Sequence, residues 1–271
     1  MNKILCSTGA IIGRPNGRDH TLMKKALPFL DCDGYELMIY DTWSDKMDEI
    51  VDFILENKFK IFVCHLDKKI GELISHGGEE NLSAALEIFE KNCIVLNRLN
   101  VKTAVLHLWG GLDSDKCFSN NLTAYAHIEK IAEKYKIDVL VENIVCSVGS
   151  PMQRMDELVR AYPNVKFIFD TKMAQFHREL DLIYDKKYSH VVSRIKHFHM
   201  NDYDGEYKEW ARFRTLHIGR GGVDFDKLFE FLKEIKYDGA FTVEGTSFDA
   251  LGEIDFKALN NDFSYIRSRI K

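Results

Sequence analysis

Ile137-Asp138-Val139-Leu140-Val141-Glu142-Asn143-Ile144 is the stretch on which the fold turns. Apolar, β-branched residues run without interruption into a carboxylate. Such a run reads as a strand buried on both faces, with Glu142 at its C-terminal end. Three other segments share the form. Val165-Lys166-Phe167-Ile168-Phe169 ends in Asp170, Arg194-Ile195-Lys196-His197-Phe198 runs into His199, and Phe241-Thr242-Val243 ends in Glu244. Four buried strands that deliver Glu, Asp, His and Glu to one rim offer a hard-to-borderline ligand set for a divalent cation.

Outward from these segments, eight apolar runs occur near 3–8, 34–40, 60–66, 102–108, 137–143, 164–170, 194–200 and 239–244. Between them the apolar period lengthens. Leu82, Ala85, Leu86, Phe89, Cys93 and Leu96 follow helical spacing, as do Leu228, Phe231, Leu232 and Ile235. Strands alternating with helices imply right-handed crossovers and a parallel sheet. Eight units of roughly 30 residues match an α/β fold of the (β/α)8 TIM barrel type, about 250 residues long. The spacing predicts a single domain over 1–271, with an extra C-terminal helix from Phe256 to Ile270 packed outside. The alternative, an open doubly wound sheet, usually carries a glycine-rich fingerprint after its first strand. Cys6-Ser7-Thr8-Gly9-Ala10 is not that fingerprint.

With 45% hydrophobic and 29% charged residues and a net charge of −5, the composition is that of an ordinary globular protein. The charge invites neither nucleic acid nor an anionic membrane. No apolar run approaches the roughly 18 residues of a membrane span, and the start of the chain is too short for a signal peptide and goes straight into a strand. Six scattered cysteines without a CxxC pair suggest reduced thiols and a cytoplasmic location. A homo-oligomer is left open.

Active sites of such barrels lie at the C-terminal rim of the strands. His65 and His107 end the third and fourth strands, and Glu142, Asp170, His199 and Glu244 the fifth to eighth. Glu36 lies within the second. Each has a plainer reading: Asp170 as a helix cap, and His199, His65 and His107 as satisfied core or rim histidines. Glu142 and Glu244 resist it, because glutamate caps poorly and is costly to bury unpaired. Trp109 could wall a sugar ring or anchor a loop. The segment His217-Ile218-Gly219-Arg220-Gly221-Gly222 could offer backbone N–H groups to an anion, and Arg212, Arg214 and Arg220 could hold a phosphate.

These residues resemble the xylose isomerase-like barrels, a superfamily of sugar and sugar-phosphate isomerases and epimerases, hydroxypyruvate isomerase, inosose and dehydroshikimate dehydratases, and the endonuclease IV repair enzymes. The likeness spans nearly the whole chain. It rests on Val141-Glu142-Asn143, Phe169-Asp170-Thr171, His199-Met200-Asn201-Asp202, His217-Ile218-Gly219-Arg220-Gly221 with Val223-Asp224-Phe225, and Thr242-Val243-Glu244. The resemblance implies one divalent ion (Mn, Mg, Co or Zn) on Glu142, Asp170, His199 and Glu244, with Glu142 and Glu244 as the acid–base pair. It implies substrate contacts from His65, His107, Trp109, His217 and Arg220, and leaves room for a second metal near His65 and His107. Two positions depart from the family pattern. Met173 stands where a histidine is usual, and Thr215 where endonuclease IV has an aspartate, so that enzyme's third zinc site is not implied.

The activity implied is a metal-dependent isomerase or epimerase acting on a small sugar, sugar phosphate or keto acid. The alternatives are a dehydratase on the same scaffold, an abasic-site endonuclease, and a barrel that binds metal or sugar without catalysis.

Overall fold

The computed structural model describes residues 2–270. Eight parallel strands follow one another around a closed barrel: β1 (Ile4–Ser7), β2 (Gly34–Met38), β3 (Ile61–His65), β4 (Thr103–Leu106), β5 (Asp138–Glu142), β6 (Lys166–Asp170), β7 (Ile195–Met200) and β8 (Ala240–Val243). Each falls inside a run expected from the sequence. Closure is made by β1 pairing with β8, with Leu5 opposite Thr242. Helices cover the outside, among them Glu79–Arg98, Phe225–Glu234 and Phe256–Arg269. The last packs against β1 and β8, as expected of the C-terminal helix.

Side-chain alternation along the strands sorts the interior into layers. Leu5, Val63, Val105, Leu140 and Ile168 form an apolar cluster inside the barrel, separate from the main core. Their neighbours of opposite parity, such as Cys6, Cys64, Val139, Val141, Phe167 and Phe169, belong to the core between barrel and helices. Two residues beyond the apolar layer, the same face carries Ser7, His65, His107, Glu142 and Asp170. The polar rim therefore follows from strand period and register alone.

On β2, β7 and β8 the middle layer is polar instead. Glu36 sits beside Val63, and His197 beside Ile168, each just after a register shift in the ladder. The Thr242 hydroxyl donates to Glu36 Oε2 at 2.9 Å. His197 Nε2 lies 2.7 Å from the same hydroxyl oxygen and donates to it. These polar atoms are fully buried and satisfy one another, as burial demands. All six cysteines are free thiols, as their scatter suggested. No helix of the described residues is long and apolar enough to cross a membrane.

Candidate metal centre and active site

Glu142, Asp170, His199 and Glu244 converge at the C-terminal mouth. One ligand atom from each lies within 4.8 Å of all the others. His199 Nδ1 is 3.1 Å from Glu142 Oε1, 3.3 Å from Glu244 Oε2 and 4.0 Å from Asp170 Oδ2. His199 and Asp170 are fully buried. Glu142 and Glu244, with side chains 2% and 14% exposed, face the opening.

The ring of His199 is fixed from behind. Its Nε2 donates to Glu36 Oε1 at 2.8 Å, which turns Nδ1 toward the carboxylates. Hydrogen bonding of one ring nitrogen is the usual way a ligating histidine is oriented. Asp170 divides its two oxygens. Oδ1 accepts from Met173 N at 2.8 Å and caps the helix Thr171–Phe176, while Oδ2 accepts from Asn201 Nδ2 at 2.8 Å. The cap uses Oδ1 and leaves Oδ2 4.0 Å from His199 Nδ1, so capping does not exclude ligation. The same Asn201 amide donates to Glu244 Oε2 at 3.0 Å. Asn143 braces the backbone of Asp170 by accepting from its N at 2.6 Å and donating to its O at 3.1 Å.

Burial opposes a charge on His199, yet the carboxylates of Glu244, Glu36 and Glu142 outweigh it and raise its pKa well above the usual value. Burial likewise pushes Asp170 up to about 6, against the nearby charge of Lys172. For Glu142 burial acts upward too, but the imidazoles of His107 and His199 hold it well below the carboxylate range. So much buried negative charge around one imidazole nitrogen calls for a cation. Three carboxylates and an imidazole also suit the chemistry of a divalent metal, so the residues fit the ion the family implies.

A second group of donors adjoins the first. His107 Nε2 is 2.7 Å and His65 Nε2 3.3 Å from Glu142 Oε2, and the three form a set able to hold a metal. Burial pushes His107 down to about 3, so it is a neutral imidazole at ordinary pH.

Above these residues opens a cavity of about 450 Å³. It is lined by Glu142, Glu244, His65 and His107, by the cations Arg14, Arg18, Lys68, Lys69 and Lys172, and by Met173, Thr215 and Tyr40.

The loop residues expected to touch substrate do not line this cavity. Trp109 is fully buried, donates from Nε1 to Ile144 O at 3.3 Å and packs edge-on against Phe118; it anchors a loop. His217 has both ring nitrogens engaged, Nδ1 with Asp262 Oδ2 at 2.5 Å and Nε2 with Ser247 Oγ at 2.8 Å, and so ties its loop to the C-terminal helix. Arg220 is exposed. Arg212 and Arg214 pair with Asp204. Backbone N–H groups of the glycine-rich loop are taken within the protein, Gly221 N by Asp202 Oδ2 at 2.8 Å and Gly222 N by Tyr203 O at 2.9 Å. The sequence assigns no role to three residues of this region: Glu36, Asn201 and Lys172. Glu36 carried the same signal as Glu142, an acid inside an apolar strand.

Comparison with known proteins agrees with this architecture. Residues 29–262 match the family model described as xylose isomerase-like TIM barrel. The uncharacterized protein MJ1311 of Methanocaldococcus jannaschii is 29% identical over 142 residues, 51% of this chain and 46% of that protein. The match thus spans about half the length of that curated relative. Among solved structures, D-allulose 3-epimerase from Methylomonas sp. in complex with D-allulose superposes with a TM-score of 0.72 at 15% identity, covering 99% of this chain and 97% of that one. The 3-keto-D-glucoside 4-epimerase YcjR from E. coli gives 0.67 at 17%, covering 99% and 100%. The IolI protein with a bound zinc atom gives 0.68 at 16%, covering 99% and 98%. At such identities the superpositions speak to the fold, and the match to the family model carries the assignment: the chain belongs to the xylose isomerase-like TIM barrel family.

Proposed function

We propose that the protein is a divalent-metal-dependent isomerase or epimerase of a small sugar or related hydroxycarbonyl compound. The observation that carries this reading is the convergence of Glu142, Asp170, His199 and Glu244, two of which, Glu142 and Glu244, line one cavity. The superposed structures are epimerases of D-allulose and of a 3-keto-D-glucoside, which supports the same reading. A divalent ion held by these four side chains would polarise a substrate carbonyl and its neighbouring hydroxyl as a Lewis acid.

The protein's own groups then divide the remaining work. Asp170 and His199 are buried under the site and hold charge and geometry. Glu244 reaches the cavity, and among the described residues only its Oε2 is engaged, by Asn201 and His199. Its Oε1 is free to take a proton from the carbon next to the carbonyl. Glu142 sits across the site, where the neutral imidazole of His107 can donate to its Oε2 and keep it correctly placed. For return to the opposite face Glu142 must first take a proton from solvent and pass it to the carbon, while Glu244 gives its own up to solvent. For a shift to the neighbouring carbon Glu244 can hand back the proton it took. The abasic-site endonuclease reading gains nothing from the walls, since Met173 is apolar and the Thr215 hydroxyl accepts from Lys172.

Proton exchange tests the reading. Candidate ketoses, aldoses and their phosphates are incubated in D2O with the protein and Mn²⁺ or Mg²⁺. Deuterium should enter beside the carbonyl of at least one of them, and a chelator should stop it. Cleavage of an abasic-site duplex without exchange on any sugar would overturn the proposal.

A further inference from the structure

Lys172 is a cation for which the site so far described has no use. It follows the Asp170-capped start of the helix Thr171–Phe176, and only 7% of its surface is exposed. Its Nζ donates to Thr215 Oγ1 at 3.0 Å and lies 5.0 Å from the centre of the Phe213 ring. An ammonium has three donors, and this one forms no ion pair among the described residues. The cavity's other cations differ. Arg18 pairs with Asp41 and Lys69 with Glu72, all partly exposed, while Arg14 and Lys68 are exposed to water.

A buried charge with a single neutral acceptor is poorly compensated. Asp170 lies near enough for Lys172 to oppose the effect of burial on it, but its oxygens are taken by Met173 N and Asn201. Lys172 instead turns to Thr215, and both line the cavity that holds Glu142 and Glu244. A neutral polyol in that cavity would leave the ammonium without a counter-charge. A phosphate ester or a carboxylate would supply one through charge-assisted hydrogen bonds.

The geometry points to Lys172, with Thr215, as the group that reads an anionic substituent on the substrate, a phosphate ester or a carboxylate. This inference rests on the isomerase or epimerase reading and narrows its substrate class. It also assigns the anion contact to Lys172 in place of Arg212, Arg214 and Arg220, which the sequence offers as candidates to hold a phosphate and which do not line the cavity.

Calorimetric binding of three ligands to the purified metal-loaded protein tests it: a neutral ketose, its terminal phosphate ester, and a 2-keto acid of similar length. At least one anionic ligand should bind more than about tenfold tighter than the ketose, and which one does so separates the two sources of charge. Lys172→Met should weaken that ligand by on the order of tenfold to a hundredfold and leave the neutral ketose nearly unaffected. Lys172→Arg should restore the preference, a rescue that a purely structural role does not give. If the Met variant fails to fold, Thr215→Val serves, with a smaller loss confined to the anionic ligand. Equal affinity of the wild type for all three ligands, or an equal loss for all in the Met variant, overturns the inference and leaves the isomerase reading standing. If none of the three binds, the functional reading itself has failed, and inorganic phosphate and acetate decide the anion site alone. Binding of either by the wild type but not by Lys172→Met supports it. The same result for both proteins overturns it.

Discussion

Glu36 Oε1 lies 2.8 Å from His199 Nε2, joining the middle layer of the barrel to the metal-ligand candidate above it. Both side chains are fully buried. Glu36 therefore fixes which nitrogen of His199 faces Asp170, Glu142 and Glu244. Glu36→Gln keeps shape and one acceptor but removes the charge. Partners of ligating histidines typically contribute about tenfold to a hundredfold in metal affinity. The variant should fold and should lose Mn²⁺ or Zn²⁺ affinity by that order, read by calorimetric titration. Unchanged affinity would show that His199 needs no such support.

Asp170 caps its helix with one oxygen and would offer the other to the proposed metal, so two substitutions separate the cap from the ligation by experiment. Asp170→Asn retains an oxygen for Met173 N and should melt close to the wild type once metal is stripped from both, but bind metal poorly. Asp170→Ala removes the cap as well, at a further cost of about 1 kcal/mol. Thermal melts of the metal-free proteins, with metal content by elemental analysis, give both numbers. Equal melting of the Asn and Ala variants would remove the cap from the account.

The strands were legible because burial on both faces leaves an apolar run whatever the rest of the fold does, and parity then carried Glu142, Asp170, His199 and Glu244 to one face. His65 and His107 follow from the same rule, two residues beyond Val63 and Val105. Loop residues gave no such purchase. The partner of His217 is Asp262, 45 residues away, and no period in the sequence announces it. Trp109 has the residue type of a sugar wall, but the interior between barrel and helices claimed it first. Lys172 failed to stand out for the converse reason. A lysine in the first turn of a short helix reads as solvated, and only the tertiary structure shows it buried against Thr215 and Phe213.

Asp115 ties the loop after β4 to the loop after β5. Its buried carboxylate accepts from the N–H groups of Ser147, Val148 and Gly149 and pairs with Arg154. Burial acts to raise its pKa, but those backbone donors and Arg154 lower it from 3.8 to about 2. A lowered folded-state pKa means stability that is complete above the unfolded value near 3.9 and is lost as the pH falls toward 2. With allowance for solvent screening at the rim, the contribution is roughly 1 to 2 kcal/mol. The difference in unfolding free energy between wild type and Asp115→Asn should be of that size at pH near 6 and shrink steadily below pH near 4. Urea denaturation across this range measures it. A difference that stays constant to the acid limit would assign the loss to shape and not to charge.

Glu244 is the carboxylate with an unengaged oxygen on the cavity, and the proposed chemistry stands or falls with it. Glu244→Gln can still accept from Asn201 and offer one oxygen to a metal, but it cannot take a proton. General acid–base groups contribute about 10²–10⁴-fold, and loss of a ligand charge adds to that. Turnover on a ketose that the wild type exchanges should fall by at least about 10²-fold, with a much smaller change in substrate affinity. Glu142→Gln should impair deuterium incorporation as well, but through a different signature. With the return proton lost, exchange of the abstracted proton with solvent should survive better than formation of the rearranged product. Measuring solvent exchange and product formation in the same reaction separates the two glutamates. If Glu244→Gln retains wild-type exchange at full metal occupancy, the base lies elsewhere, and His107 over Glu142 becomes the group to test.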